Sequence, residues 1–464
     1  AAAAGKTGEG RLSPRLQLLF ESLQKLLRRK SYTHVERLLT RARPADVAVV
    51  MRFLDEKQID RVFELMPDDD ARAELVAELD PHLRVELLQG RPVPAIVRLV
   101  HRMSSDDLAD LLAELPDDLR QSLIDALKPD DAEEVEDLLH YDPETAGGIM
   151  SPDVFALPED TTAAEAIEAL QKAGADIEMA FYIYVVNAPG HLVGVLSLRE
   201  LVINPPETPL RDMMETDVIS VTADTDQEEV ARLAARYNLL AVPVTDASNH
   251  LAGIVTIDDV IDVIREEATE DILKMAGADE SAYAGYSVMK NFKTRAPWLF
   301  ATWLGGLMAS VLIGAFEDQL EAQVALAAFI PIVLGMGGNV GTQTATIIVR
   351  GLATGRVSGG VGLRYLARET GVGVMLGLVY GMLLGGYAMV RYGGGVDVFH
   401  LAITVAVSIL ASMTAAAAVG ATTPLVFERL NIDPAVATGP IVTTTVDVLG
   451  ILVYFLVAAA VVGV

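Results

Sequence analysis

The sequence predicts a multidomain membrane protein with an all-α N-terminal domain, an α+β tandem repeat and an α-helical membrane domain. Its net charge of −28 is unevenly placed: residues 1–280 carry 27 Lys and Arg against 56 Asp and Glu, whereas residues 281–464 carry nine against eight. A motif near residue 150 recurs near residue 214, and five long apolar stretches follow residue 295. These observations predict domains at 1–145, 146–265 and 296–464, with a connecting helix and linker at 266–295.

The first domain is predicted to be a superhelix of short amphipathic helices. Proline and acidic residues punctuate residues 11–140, as in Pro67-Asp-Asp-Asp70 and Pro116-Asp-Asp118, and such residues favour helix starts. Between them, leucines recur at helical spacing, for example at 108, 111, 112 and 115. The acidic surface excludes nucleic acid as a partner, because no basic stripe is present to neutralise phosphates, and it favours divalent cations.

The second domain is predicted from an internal repeat. Met150-Ser-Pro-Asp-Val154 recurs as Met214-Glu-Thr-Asp-Val218, and each copy continues with a Thr-led helix (162–173 or 225–237), two strands and an acid-containing helix. This β-α-β-β-α order over residues 148–265 resembles a pair of CBS domains. The resemblance implies a cleft for adenine nucleotides, with ATP as a candidate ligand; helix capping and a solvated surface are the alternative roles of the charged candidates. The candidate contacts are Tyr182, Arg199, Glu200 and Asp258.

Five stretches are long and apolar enough to span a hydrocarbon core of ~30 Å. They cover residues 297–316, 322–349, 370–390, 398–427 and 435–464. Pro331 and the glycines from Gly335 to Gly341 interrupt the second stretch, and Gly420 and Pro424 interrupt the fourth. We expect kinks or unwound turns there, facing protein or a cavity rather than lipid. The alternative for the glycine-rich run is close helix packing through small residues.

The loops predict the orientation of these spans in the plasma membrane. Basic residues precede the first span and fill the loop after the second, whereas the loop after the first carries only Glu317, Asp318 and Glu321. Because Lys and Arg accumulate on the cytoplasmic side, the N-terminal half is expected in the cytoplasm and the C-terminus outside. Arg391, in the third loop, is the exception.

Asp447 is the only charged residue between Pro434 and Val464. An ionisable group at the centre of a membrane costs ~2.5–3.5 kcal/mol on insertion scales, so it usually faces water, an ion or a partner. The position therefore predicts a residue of an ion pathway.

The acidic helical domain, the CBS pair, the charged connecting helix and the five spans together resemble the MgtE family of magnesium channels or transporters. The motif Pro331-Ile-Val-Leu-Gly-Met-Gly-Gly-Asn339-Val-Gly341-Thr-Gln343 and Asp447 carry the resemblance most specifically. The resemblance implies that the protein is not an enzyme. It also implies a homodimer embedded in membrane lipid, with two Asp447 carboxylates facing each other across the pore. Gly338, Asn339 and Gln343 would add neutral oxygens, which suits Mg²⁺ because this ion keeps several waters in octahedral coordination.

The resemblance also implies gating by cytoplasmic Mg²⁺ bound between acidic residues of the soluble part. Acids from 259 to 271 share a predicted helix that ends near Met275, and like charges at these spacings repel. Asn238 and Leu239 depart from the family pattern, which weakens one intersubunit cation site and nucleotide stacking. The implied regulatory ligands are Glu74, Asp106, Asp110, Asp259, Asp262, Glu267, Glu270, Asp271 and Asp433.

Other functions fit the sequence less well. An intramembrane metalloprotease needs a His-Glu-x-x-His pair, and of the seven histidines only His400 lies in a predicted span. An anion transporter would want Lys or Arg within the spans, and none lies in the middle of one. Transport of Co²⁺, Ni²⁺ or Mn²⁺ stays open, since oxygen ligands discriminate poorly among divalent ions.

Overall fold

The computed structural model describes residues 12–174, 181–278, 288–357, 362–393 and 396–462. The chain divides into two compact units, residues 1–264 and 265–464. The first unit holds the helical domain and the CBS pair, and the second holds the membrane helices.

The N-terminal domain is all-α, as predicted. Proline occupies the first turn of several helices, where its missing N–H costs nothing, and Asp55 and Gln58 form a reciprocal capping box. The apolar stripes meet in one core that includes the fully buried Val35, Val62 and Leu111. The helices are α1 Pro14–Arg28, α2 Tyr32–Leu39, α3 Pro44–Met51, α4 Glu56–Glu64, α5 Asp69–Ala77, α6 Pro81–Leu88, α7 Val93–Val100, α8 Ser105–Glu114, α9 Asp117–Ile124 and α10 Pro129–Leu138.

The tandem repeat forms two three-stranded sheets with the same topology, which confirms the predicted order. In each sheet the first strand pairs in parallel with the second, and the second pairs antiparallel with the third. The first copy contains β1 Ala156–Pro158, α11 Ala163–Ala173, β2 Tyr182–Val186, β3 Leu192–Ser197 and α12 Leu198–Ile203. The second contains β4 Val221–Thr222, α13 Gln227–Tyr237, β5 Ala241–Thr245, β6 Leu251–Thr256 and α14 Ile257–Met275.

The methionine that begins each repeat motif, Met150 or Met214, packs against the other copy. The segment after Met150 pairs with β6 of the second copy, through Ser151 and Ile254, and the segment after Met214 pairs with β3 of the first, through Val195. Each methionine side chain fills the space where a Cβ would stand on the glycine of the strand that it crosses, Gly253 for Met150 and Gly194 for Met214. The repeat motif therefore encodes the packing between the copies.

The last helix of the CBS pair continues into the predicted connecting helix. α14 runs without a break across the expected boundary at 265–266 and ends at Met275, as the sequence predicted. One helix start differs from the prediction. The sequence predicted that the helix of the second copy begins at Thr225, whereas α13 begins at Gln227 and has Asp226 as its N-cap.

The membrane unit consists of long helices, and five segments of the described chain are long and apolar enough to cross a membrane. These segments are Asn291–Ala315, Val324–Ala353, Gly362–Tyr392, Val398–Arg429 and Pro434–Val461. The helices are α15 Val288–Ala315, α16 Glu317–Ala322, α17 Ile330–Ala353, α18 Gly362–Tyr392, α19 Val396–Arg429 and α20 Pro440–Val462, with 3₁₀ turns at Val324–Phe329 and Pro434–Ala437.

The second span changes from a 3₁₀ segment, Val324–Phe329, to α17 just before Pro331, but the glycines of the second span and the Gly420 and Pro424 positions of the fourth do not unwind the helix. The run from Gly335 to Gly341 is α-helical throughout, and α19 stays helical through Gly420 and Pro424. The glycines serve close packing instead, since a Cβ on Gly420 would collide with the carbonyl oxygen of Gly341. Backbone carbonyls of α17 are therefore engaged in the helix rather than freed as ion ligands.

Candidate functional site

Asp447 lies half-buried on α20, where this helix packs against α17. The two helices meet through glycine, because Cβ atoms on Gly337 and Gly341 would stand 3.3 Å and 3.0 Å from the methyl groups of Val446. Gly338 is turned toward the carboxylate, and a Cβ there would lie 3.7 Å from Asp447 Oδ1. The glycine-rich motif thus gives the Asp447 carboxylate open space beside α17.

Asn339 and Gln343 occupy another face of α17. Both are exposed in the single chain, and they lie one helical turn apart, so they form a polar strip on a predicted span. The structure therefore brings Gly338 to Asp447 and leaves the two amide side chains on the outer surface of the chain.

A cluster of carboxylates contains residues of both the helical domain and the end of the CBS pair. Asp106, Asp107 and Asp110 lie on α8, and their charges act on one another. Glu78, just after α5, is under electrostatic influence of Glu74, Asp107, Asp258 and Asp262. One oxygen of Asp106, Oδ1, is buried without a hydrogen-bond partner. The structure thus gathers Glu74, Asp106, Asp110 and Asp262 of the predicted set.

Three carboxyl groups of this cluster, those of Glu78, Asp107 and Asp110, have raised pKa values. Although its side chain reaches solvent, Asp110 has a pKa raised to about 7, because the surrounding protein limits its hydration and Asp106, Asp107 and Glu114 repel its charge. Arg84 opposes this shift. Restricted hydration and then acidic neighbours also raise the pKa of Asp107 and of Glu78. The charged state of the cluster is therefore costly without a cation.

A second acidic group lies in the membrane unit, where α14 ends. Glu270, Asp271 and Asp433 are brought together as predicted, but Lys274 lies among them. The Lys274 ammonium is 2.5 Å from Glu270 Oε1 and 2.7 Å from Asp433 Oδ2. Burial, then Asp433, raises the pKa of Asp271, whereas Lys274 and Arg350 lower it.

The remaining predicted ligands have local roles or more dispersed positions. Asp259 accepts a hydrogen bond from the Thr256 backbone N–H at 3.3 Å, next to the start of α14, and Glu267 is half-buried further along this helix. Among the residues that the structure describes, no three His, Asp or Glu side chains converge closely enough to hold one metal ion.

The nucleotide candidates are only partly available. Glu200 accepts hydrogen bonds from the backbone N–H and hydroxyl of Ser197 at 2.8 and 3.0 Å, so it is engaged as a helix cap. Arg199 is exposed and Tyr182 is half-buried. Leu239 packs against the core, and Asn238 ends α13 with a left-handed backbone (φ 55°), which Asn tolerates better than most residues.

Sequence reasoning missed Glu78, Asp107, Lys274 and Arg350. Glu78 follows Glu74 by four residues and Asp107 adjoins Asp106, so helical spacing could have identified both. Lys274 follows Glu270 by four residues, which favours ion pairing along a helix. Arg350 reaches this group only through tertiary structure.

Three family models match the chain. They are the MgtE divalent cation transporter over residues 330–457, the MgtE intracellular N domain over 42–144, and the CBS domain over 146–205 and 210–266. The CBS matches agree with the repeat and with its two sheets.

Similar proteins cover almost the full length. The magnesium transporter MgtE of Thermus thermophilus is 38% identical over 442 residues, covering 94% of this chain and 97% of that protein. MgtE of Bacillus subtilis is 33% identical over 435 residues, covering 94% and 95%. A crystal structure of the cytosolic domain of the Mg²⁺ channel MgtE in complex with ATP is 38% identical, with a TM-score of 0.51, and matches 53% of this chain and 99% of that one. With this fold and these full-length similarities, the chain belongs to the MgtE family, a family of transporters rather than enzymes.

Proposed function

We propose that this protein is a Mg²⁺-selective channel or transporter of the plasma membrane, with Asp447 and α17 lining the path of the ion. The observation that carries the proposal is the position of Asp447, the only charged residue from 434 to 464, with its carboxylate beside Gly338. A carboxylate can hold hydrated Mg²⁺ through the ion's water shell, which is the mode of binding that this ion favours.

The pathway is completed by a second copy of the chain. Asn339 and Gln343 are exposed in a predicted span, and a polar strip there calls for water or a partner rather than lipid. In a homodimer with Asp447 of both copies facing the same pore, these amides would add neutral oxygens around the ion. The N-terminal half lies in the cytoplasm and the C-terminus outside.

Ion flux into liposomes tests the pore. Asp447→Asn and Asp447→Ala should each abolish Mg²⁺ uptake, because the charge that concentrates the cation is lost. Asp318→Asn, an exposed acid on the short helix α16 after the first span, is the control and should transport normally. Undiminished Mg²⁺ flux in both Asp447 variants would refute the assignment, and equal flux of Co²⁺, Ni²⁺ or Mn²⁺ in the parent would replace Mg²⁺ selectivity with broader divalent transport.

Cytoplasmic Mg²⁺ is also the proposed signal that closes the path. The carboxylate cluster around α8 supports this, because its charges repel and the pKa values of Glu78, Asp107 and Asp110 are raised. In addition, Asp106 Oδ1 is buried and has no hydrogen-bond partner among the described residues. A bound divalent cation would remove this repulsion. Since no three of the described acids already converge on one point, binding would draw carboxylates of α5, α8 and the start of α14 closer together.

Limited proteolysis of the full chain tests this gate. Millimolar Mg²⁺ should protect the soluble half of the parent, and Asp106→Asn combined with Asp107→Asn should shift protection to higher Mg²⁺ concentration. Asp118→Asn, an exposed acid on the next helix, should leave the midpoint unchanged. Identical digestion of the parent with and without Mg²⁺ would contradict the gate while leaving the pore proposal intact.

We also propose that the CBS pair binds ATP, which the ATP complex of the similar cytosolic domain favours. Tyr182 and Arg199 are the contacts that remain accessible, since Glu200 is engaged as a cap. Calorimetric titration with ATP should show binding that Arg199→Ala weakens and that Lys172→Ala does not affect. Absence of heat in the parent would exclude this ligand.

A further inference from the structure

The end of α14 and the start of α20 meet at a charged junction, formed by Glu270, Asp271, Lys274 and Asp433. Lys274 supplies the positive charge in direct contact with these acids. Its Nζ lies 2.5 Å from Glu270 Oε1 and 2.7 Å from Asp433 Oδ2. Arg350 of α17 adds a second positive charge that acts on Asp271. Glu270 and Lys274 are four residues apart with the acid first, the favourable order for a helical ion pair, whereas Asp433 comes from a distant part of the chain.

Asp433 connects this junction to the candidate pore helix. Its Oδ2 contacts Lys274, while its Oδ1 accepts a hydrogen bond of 2.7 Å from the backbone N–H of Ala435. That bond caps the 3₁₀ turn Pro434–Ala437, which leads directly into α20 and thus to Asp447. One carboxylate therefore joins the Lys274 ammonium to the start of the helix that carries Asp447.

The same junction is tightly packed. A Cβ on Gly439 would stand 2.7 Å from the carbonyl oxygen of Met275, so only glycine lets α14 approach this closely. A Cβ on Gly277 would lie 3.5 Å from Cγ of Pro440 and 3.5 Å from Cβ and Cγ of Trp298. The end of α14 and Gly277, just after it, thus lie close to the start of α20 and to Trp298 of α15.

We infer that Lys274 is the resident cation of this junction: its ammonium occupies the place between Glu270 and Asp433 that a regulatory divalent ion would otherwise take. A tethered cation is present at fixed local concentration, so this contact between α14 and the start of α20 does not depend on free Mg²⁺. The ammonium also repels a divalent ion from the same two carboxylates.

Lys274 is held in place by two short ion pairs, one to Glu270 on its own helix and one to Asp433. Arginine would keep the charge and the two contacts, whereas glutamine would keep most of the volume and lose the charge. The pair of substitutions therefore separates charge from packing.

The inference rests on the proposed function in one respect, the consequence for gating. Mg²⁺ sensing would be confined to the acids of the first unit, because the contact between α14 and α20 is already formed without Mg²⁺. The test measures docking, that is, the contact between the end of α14 and the start of α20, and not ion flux. The inference can therefore fail while Asp447 still proves to be the pore residue. Trp298 supplies the signal. The chain has two tryptophans, so Trp303→Phe leaves Trp298 as the sole one, beside Gly277.

In full-length protein with Trp303→Phe, we expect the Trp298 emission maximum and its protection from acrylamide to be equal in EDTA and in millimolar Mg²⁺. Adding Lys274→Gln should cause a red shift and loss of protection in EDTA, and Mg²⁺ should restore both because the freed carboxylates now recruit it. Lys274→Arg should match the parent. Asp433→Asn should lose protection in EDTA without recovery in Mg²⁺, since one carboxylate of the pair is gone.

Lys172→Gln is the matched control, because Lys172 also pairs with an acid four residues earlier, Glu168, and this is its one ion pair among the residues that the structure describes. It should leave the Trp298 signal unchanged. Undocking of the parent in EDTA, or full docking of the Lys274→Gln variant in EDTA, would overturn the inference. Recovery of that variant in Mg²⁺ shows that it is folded, and failure to recover would also count against the inference.

Discussion

Carboxylates of this chain acquire different tasks from their surroundings, although their chemistry is the same. Asp433 and Asp259 hold helix starts through backbone N–H groups, so part of their hydrogen-bonding capacity is already used. Asp447 has an apolar span around it and glycine beside it, and it is the residue that we propose to act on the ion. The surrounding protein limits the hydration of Asp110, and neighbouring acids repel its charge, which together make its ionisation costly.

The raised pKa of Asp110 gives a pH dependence whose sign can be worked out. In the unfolded chain an Asp titrates near ~3.9, whereas in the folded chain Asp110 titrates at about 7. Between these values the folded state binds more protons, so the free energy of unfolding should decrease as the pH rises from 4 to 7. We expect Asp110→Asn to flatten this slope, because the amide does not ionise.

Thermal unfolding of residues 12–278 in EDTA, between pH 5 and 8, measures this effect. The melting temperature of the parent should fall with rising pH more steeply than that of Asp110→Asn. Asp118→Asn removes an exposed acid from the same domain and should keep the slope of the parent. Parallel curves for parent and Asp110→Asn would show that the Asp110 pKa is not raised.

At the level of elements, glycine sets how closely the membrane helices pack. Gly373, Gly377, Gly381 and Gly385 recur every fourth residue on α18 and lie against α19, where Cβ atoms would meet its backbone or small side chains. The same principle applies between α17 and α19 at Gly341 and Gly420. It explains why the glycine-rich motif is a packing surface rather than an unwound turn.

A single methyl group tests this packing. Gly420→Ala should lower the stability of the membrane unit by roughly 1–3 kcal/mol, because its Cβ would collide with the Gly341 carbonyl. Gly371→Ala on α18 adds the same methyl group where nothing lies within 4 Å, and it should not lower stability. The melting temperatures of the two variants in detergent provide the comparison, and equal values would show that α17 and α19 can separate without cost.

At the level of the whole molecule, the placement of basic loops predicts how the chain lies in the membrane. The chain contains no Cys, so single cysteines report their side without background. Glu321→Cys, after the first span, should react with an impermeant maleimide in intact cells. Thr354→Cys, after the second span, should react only in inside-out vesicles, because its loop is basic and the proposed topology places it in the cytoplasm. The reverse pattern would invert the proposed topology.

The sequence by itself determined the fold class, the repeat, the number of spans and the end of α14. These features depend on local periodicity and on composition, which each segment carries within itself. It also identified Asp447 as unusual, because a lone charge in an apolar stretch is visible without any structure.

Tertiary structure decided what these residues contact. The pairing of Met150 with Gly253, the space between Gly338 and Asp447, and the grouping of Glu78 with Asp262 join residues far apart in the chain. Periodicity could not distinguish glycines that unwind a helix from glycines that let two helices touch, since both break an apolar pattern alike. Nor could it place Lys274 beside Asp433, because ion pairing depends on distances that only the folded chain fixes.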